Sequence, residues 1–179
     1  MARIRSFPPI EDAAARTLIL GTMPGIASLT AQQYYAHPRN AFWSILGDLL
    51  EFDPKLDYAT RTQLLVADGI ALWDVLQSCR RFGSLDSDIQ AESIVANDFG
   101  RFFGLHPHIQ YIYFNGASAE ALYRRHVLRS VPLLSDRCYI RLPSTSPANA
   151  SISFTAKASA WRAVLTTRTR NYTNWRRPR

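Results

Sequence analysis

Between Leu18 and Trp43 the chain reads "LILGTMPGIASLTAQQYYAHPRNAFW", an apolar strand that enters a long polar turn and leaves it as a helix. The turn carries Gly21, Gly25, Tyr34, Tyr35, His37 and Asn40, several hydrogen-bonding groups and one that titrates near neutrality. Its glycines allow a ligand close to the backbone, so the N–H groups of Thr22, Met23 and Gly25 can meet a carbonyl or an anion. A phosphate loop is excluded, because Gly21 and Gly25 have neither the G-x-G-x-x-G spacing nor a following Lys-Ser/Thr pair. About a dozen residues instead separate the glycines from the helix. That leaves room for a wall of Tyr34, Tyr35, His37 and Asn40, which suits a flat aromatic guest better than a phosphate. Asn40 stands just ahead of "AFWSIL", where asparagine also serves as a helix cap, and both readings are open at this point.

Two further stretches carry polar groups where a strand ends. Asn115 closes "YIYFNG" with an amide that is both donor and acceptor, and "LPSTSPAN" places Ser144, Thr145, Ser146, Pro147, Ala148 and Asn149 in a proline-stiffened loop. Short hydroxyls of that kind can approach a phosphate. Lys157 and Arg162 follow it in a segment where they can meet a nucleic-acid backbone. Asp74, Asp86 and Asp88 also lie near loops, with a solvated or capping role expected for each.

The elements that must position these residues alternate. "TLILG" at 17–21, "IALWDV" at 70–75, "YIYFNG" at 111–116 and "CYIRLP" at 138–143 read as strands. Phe42, Ile45, Leu46, Leu49 and Leu50 share one helical face, and further helices are expected after Gly116 and after Thr155. Strands that are apolar on both faces predict an α/β fold, a parallel sheet covered by helices on either side. Ligands then bind beyond the carboxyl ends of the strands, which is where the unusual residues lie.

A chain of 179 residues predicts one domain, 1–179, with a basic C-terminal tail at about 168–179; that tail and residues 1–15 are expected to be loosely ordered. The net charge of +7 is unevenly placed. Nine of the 21 Lys and Arg lie from Arg137 onward, where there is no Asp or Glu. Such a surface is the footprint of a polyanion, most simply nucleic acid, and Tyr172 and Trp175 add faces on which bases stack. No apolar run reaches the length of a membrane span and the N-terminus has no signal-type apolar core, so a cytoplasmic protein without membrane contact is expected. Cys79 and Cys138 have no metal-binding spacing and are expected as buried thiols; no metal or cofactor is expected.

The first motif together with "LPSTSPAN" resembles the uracil-DNA glycosylase superfamily, most closely its hypoxanthine (deoxyinosine) DNA glycosylase branch, from Leu18 to Trp161. The resemblance implies a three-layer α/β/α sandwich around a four-stranded parallel sheet. It also implies a monomer that flips a deaminated base, preferably hypoxanthine, out of DNA in base excision repair and hydrolyses its bond to the sugar without metal or cofactor. Many members carry a catalytic Asn or Asp where this chain has Met23, so the catalytic asparagine implied by the branch's "HPxN" segment is Asn40. Its carbonyl would aim a water at C1′, with His37 as a donor toward purine N7. The resemblance further implies that the base stacks on Tyr35, that Asn115 reads its edge beside Gly21, Thr22, Met23 and Gly25, and that residues 144–149 enter the minor groove. "SLDSDI" at 84–89 resembles a segment of the same branch. A uracil or G·U mismatch glycosylase is the alternative within the fold, and a DNA-binding module that has lost the chemistry is the alternative outside it.

Overall fold

The computed structural model describes residues 3–128, 131 and 137–165. In chain order its elements are β1 (Arg3–Arg5), β2 (Thr17–Gly21), α1 (Ile26–Ala31), α2 (Phe42–Leu50), α3 (Tyr58–Ala67), β3 (Ile70–Asp74), β4 (Leu76–Arg80), β5 (Val95–Ala96), α4 (Phe99–Leu105), β6 (Tyr111–Asn115), α5 (Ala117–His126), β7 (Cys138–Leu142) and α6 (Phe154–Trp161). Four strands pair in parallel in the order β3-β2-β6-β7, and β1, β4 and β5 form a small antiparallel sheet.

Register explains why the parallel strands read as unbroken apolar runs. Leu20, Trp73 and Phe114 stand side by side, and Ile19, Leu72 and Tyr113 stand side by side one residue earlier, on the opposite face. Trp73 packs on Phe99 and Phe102 of α4, and Phe114 on Tyr123 of α5. On the other face Tyr113 donates its hydroxyl to the carbonyl of Ala163 at 2.7 Å, just beyond α6. Helices cover both faces. The result is the three-layer α/β/α arrangement that the resemblance implies.

Helices α2, α5 and α6 form where the sequence predicts them, and α1, α3 and α4 are additional. Phe42, Ile45, Leu46 and Leu49 of α2 are buried while Asp48 is exposed, and Glu51 ends the helix with φ +60. Serine and aspartate supply caps elsewhere: Asp57 accepts the N–H of Thr60, Asp98 that of Arg101 and Ser153 that of Ala156. Phe42 meets Trp161 of α6 edge-on at 5.7 Å, and the indole N–H of Trp161 reaches the carbonyl of Pro143 at 3.0 Å. α6 is thereby fastened to the loop that follows β7.

Three expectations need correction. Residues 3–15 are not loose: β1 pairs with β4, Ile10 bridges Leu72, and the Arg3 guanidinium bonds Ser78 Oγ and the Ser93 carbonyl at 2.9 Å each. The long turn after β2 is not all loop, since α1 occupies part of it. Cys79 is buried but Cys138 is exposed, because it opens the edge strand β7. The tail at 168–179, with Tyr172 and Trp175, lies outside the described residues. Among the described residues, no helix is long and apolar enough to cross a membrane, and no three His, Cys, Asp or Glu gather as metal ligands.

Trp161 is fully buried between α2 and the loop after β7. Trp161→Ala is therefore expected to lower the unfolding free energy by about 3–5 kcal/mol, measured by urea denaturation.

Candidate active site

The loops after the four parallel strands enclose one cavity of about 460 Å³. Gly21 to Ser28, Tyr34, Tyr35, His37 and Asn40 line it from the stretch after β2, Asn115 from the end of β6, Ser118 from the first turn of α5, and Ser144 to Asn149 from the loop after β7. Asp74 lines it from the end of β3, and Ser84 to Ser87 form a wall beyond β4. The backbone N–H groups of Thr22, Met23 and Gly25 donate to no partner among the described residues. They remain available to a guest.

Asn40 is half-buried on the cavity wall. Its Oδ1 accepts the N–H of Phe42 at 3.0 Å, so it braces the start of α2 from its place on the cavity wall. The residue thus both braces the helix and lines the cavity. His37 Nδ1 accepts the N–H of Arg39 at 3.1 Å, which puts the proton of the neutral ring on Nε2.

Thr145, 1 % exposed, joins three of the site's segments. Its N–H donates to Asn115 Oδ1 at 2.8 Å, its Oγ1 accepts from Asn115 Nδ2 at 2.9 Å, and its carbonyl accepts the N–H of Ala41 at 3.0 Å. Close approach of β6 and this loop needs Gly116, where φ is +103 and a Cβ would lie 2.9 Å from Ser144 Cβ. Within the loop Ser144 Oγ accepts the N–H of Ser146, Ser146 Oγ that of Ala148, and the Ser144 carbonyl accepts from Asn149 Nδ2.

The floor is polar and buried. A Cβ on Gly21 would collide with Asp74 Oδ1 and lie 2.9 Å from Tyr35 Oη, so the carboxyl and the phenol crowd the same point. Tyr35 is held there with φ +55, an uncommon conformation for a bulky residue. Its Oη is buried beside the Asn115 side chain and makes no hydrogen bond of good geometry among the described residues. Asp74 is 3 % exposed and accepts the Ser6 hydroxyl at Oδ2, 2.7 Å away. Burial pushes its carboxyl up to about 7; the Ser6 bond and Arg81 act the other way and Asp86 reinforces the rise. Burial also raises Asp86, which lies 3.7 Å from Arg81, and Arg81 clamps the wall through the carbonyls of Pro24 at 2.6 Å and Gly83 at 3.1 Å.

Several sequence-derived roles change. Asp74 and Asp86 both line the cavity, Asp74 as a buried group and Asp86 half-buried beside Arg81; their placement after an apolar strand and in "SLDSDI" is the signal that points to them. The ring of Tyr35 stacks on Phe42 at 3.9 Å and its hydroxyl points to the floor, so that face of the ring is not open to a base. Asn115 directs its amide to Thr145, which makes it the holder of the loop. Lys157, expected at a DNA backbone, is 6 % exposed and donates to the Asn149 carbonyl at 2.7 Å and the Ser146 carbonyl at 3.5 Å. Its aliphatic stem is packed against the loop and its ammonium stitches it. Arg162, at the end of α6, is exposed.

Two outcomes are expected. Thr145→Val leaves Asn115 Nδ2 buried without an acceptor and is expected to cost about 1–3 kcal/mol in urea denaturation. Asp74 binds a proton in the folded chain, up to about pH 7, that the unfolded chain loses near its ordinary 3.8. Stability from this group therefore falls as pH rises between those values, by about 1.4 kcal/mol per unit. The stability advantage of Asp74→Asn over the unmodified protein should grow from about pH 4 to about pH 7 and level off above, in urea titrations at each pH.

Comparison with known proteins accounts for this architecture. The model of the Uracil DNA glycosylase superfamily matches residues 8–165. A hypoxanthine DNA glycosylase of Methanosarcina acetivorans is 36% identical over 164 residues, covering 90% of this chain and 97% of the relative. One from Methanosarcina barkeri is 37% identical over 113 residues, covering 63% of this chain and 70% of the relative. A solution NMR structure from Methanosarcina acetivorans, described as a candidate uracil DNA glycosylase, superposes with a TM-score of 0.73 at 32% identity, over 92% of this chain and 99% of the other. The chain belongs to the uracil DNA glycosylase superfamily, and so to the DNA glycosylases.

Proposed function

We propose that the protein is a monofunctional glycosylase of base excision repair that excises hypoxanthine from DNA, with Asn40 as the residue that positions the attacking water. The observation that carries this reading is the Asn40 side-chain carbonyl on the wall of a cavity that Thr22, Met23 and Gly25 also line, their N–H groups without a partner among the described residues. The relatives named for hypoxanthine support the choice of base.

Cleaving an N-glycosidic bond builds positive charge on the sugar and negative charge on the departing base. The N–H groups of the Gly21–Gly25 turn take up the second. Asn40 is a weak base, but it needs only to orient a water toward C1′ once bond breaking is well advanced. His37, whose Nε2 carries the ring proton, is placed on the same wall to donate toward a purine nitrogen. Ser144, Ser146, Pro147, Ala148 and Asn149 rim the cavity and meet the DNA beside the flipped nucleotide, with exposed Arg162 nearby in sequence to meet phosphate. Flipping costs a few kcal/mol and is cheapest at a mispair, which adds selectivity. The protein acts as a monomer in this reading.

Duplexes carrying one inosine, uracil or xanthine, incubated with protein and cleaved at abasic sites with alkali, test the proposal. Strand breaks at inosine are expected; breaks at uracil alone would reassign the substrate, and no breaks would leave only a DNA-binding role. Asn40→Ala is expected to lower single-turnover base release on the order of a hundredfold or more while affinity for the inosine duplex stays within about threefold.

A further inference from the structure

We propose that Asp74 and Tyr35 form a reader of the deaminated base edge, the carboxylate accepting the ring N–H and the phenol donating to the adjacent keto oxygen. The inference rests on the glycosylase reading of the same cavity and adds to it what distinguishes a deaminated base from its parent.

Deamination inverts two neighbouring groups on a base. An exocyclic amine, a donor, becomes a keto oxygen, an acceptor; the adjacent ring nitrogen, an acceptor, gains a hydrogen and becomes a donor. A complement to the new edge is one acceptor beside one donor. The cavity floor holds that pair: Asp74 Oδ1 and Tyr35 Oη converge over Gly21, Asp74 Oδ2 is already engaged by Ser6, and Tyr35 Oη is buried beside the Asn115 side chain without a hydrogen bond of good geometry among the described residues. A buried hydroxyl without a well-placed partner calls for one, and the keto oxygen of a guest supplies it. No side chain larger than hydrogen fits between the two, which accounts for Gly21 at this point of the chain.

Adenine presents a lone pair where hypoxanthine presents N1–H, so it sets an acceptor against the Asp74 carboxylate. Because its N9 must point toward the water at Asn40, it cannot turn over to exchange the two positions. The same contrast separates uracil from cytosine. Guanine shares the edge of hypoxanthine and carries an extra amine, so its exclusion falls to the shape of the cavity.

The reader depends on pH. Asp74 titrates at about 7, raised by burial, in the company of Ser6, Asp86 and Arg81, of the Tyr34, Tyr35 and Tyr58 hydroxyls, and of His37 across the cavity. Once protonated, the carboxyl donates, and adenine N1 becomes acceptable.

Binding tests this without requiring turnover. Duplexes carrying 2′-fluorinated deoxyinosine or 2′-fluorinated deoxyadenosine, which resist hydrolysis, are each placed opposite a tetrahydrofuran abasic analogue so that flipping breaks no base pair. By fluorescence anisotropy the intact protein should favour inosine about tenfold or more at about pH 8, and the ratio should fall toward one at about pH 5.5. Asp74→Asn, whose amide rotates to offer either a donor or an acceptor, should show a ratio within about twofold of one at both pH values. Tyr35→Phe should weaken inosine binding severalfold and keep the pH dependence. An intact protein that does not discriminate at about pH 8, or an Asp74→Asn protein that discriminates as well as the intact one, overturns the inference. Absence of cleavage of unmodified inosine would instead refute the proposed hydrolysis and leave this ratio readable.

Discussion

The site depends on one buried threonine. Thr145 exchanges two hydrogen bonds with the amide of Asn115 and receives a third from the N–H of Ala41, so the end of β6, the loop after β7 and the start of α2 share a single anchoring residue. Asn40 is the neighbour of Ala41, and its position relative to the sheet is inherited from that anchor. Lys157 and Trp161 secure the same loop from α6, one through the carbonyls of Ser146 and Asn149 and the other through that of Pro143. A loop with no regular structure acquires in this way the rigidity of the strands it follows.

The polar groups around the cavity are held against their solvation preferences. Burial raises Asp74, Asp86 and Tyr35 and lowers Lys157, each an opposition to the charged form. Such groups detract from stability, and they persist because the parallel sheet beneath them is apolar on both faces, with Leu18, Ile19, Leu20, Leu72 and Phe114 fully buried. A cavity of half-satisfied donors and acceptors rests on a layer that is satisfied throughout. Pockets that recognise a guest by hydrogen bonds commonly take this form.

The four parallel strands and the helices α2, α5 and α6 were legible in the sequence, because hydrophobic periodicity is a local signal and each strand ends in an abrupt change of residue type. The members of the site were legible for the same reason: Asn40, His37, Asn115 and residues 144–149 all reach one cavity. Their tasks were harder to read. Whether an amide faces a ligand or a loop is decided by partners distant in the chain, as with Asn115 and Thr145, and nothing at Lys157 itself announces that its ammonium turns inward to carbonyls. The antiparallel sheet of β1, β4 and β5 escaped because its strands are short and mixed in polarity, with Arg3, Arg5 and Arg80 among the paired residues. The burial of Asp74 is not legible in the sequence because a carboxylate is ordinarily a surface group, and only the register of β3 shows that it closes the interior.

That small sheet leads back to the cavity. Ser6, two residues after Ile4 of β1, reaches across to the carboxyl at the end of β3. Transplanting the lining loops onto another scaffold, however faithfully, would leave that acid without its hydroxyl companion; the cleft draws on one segment more than its walls, a strip of chain ahead of β2.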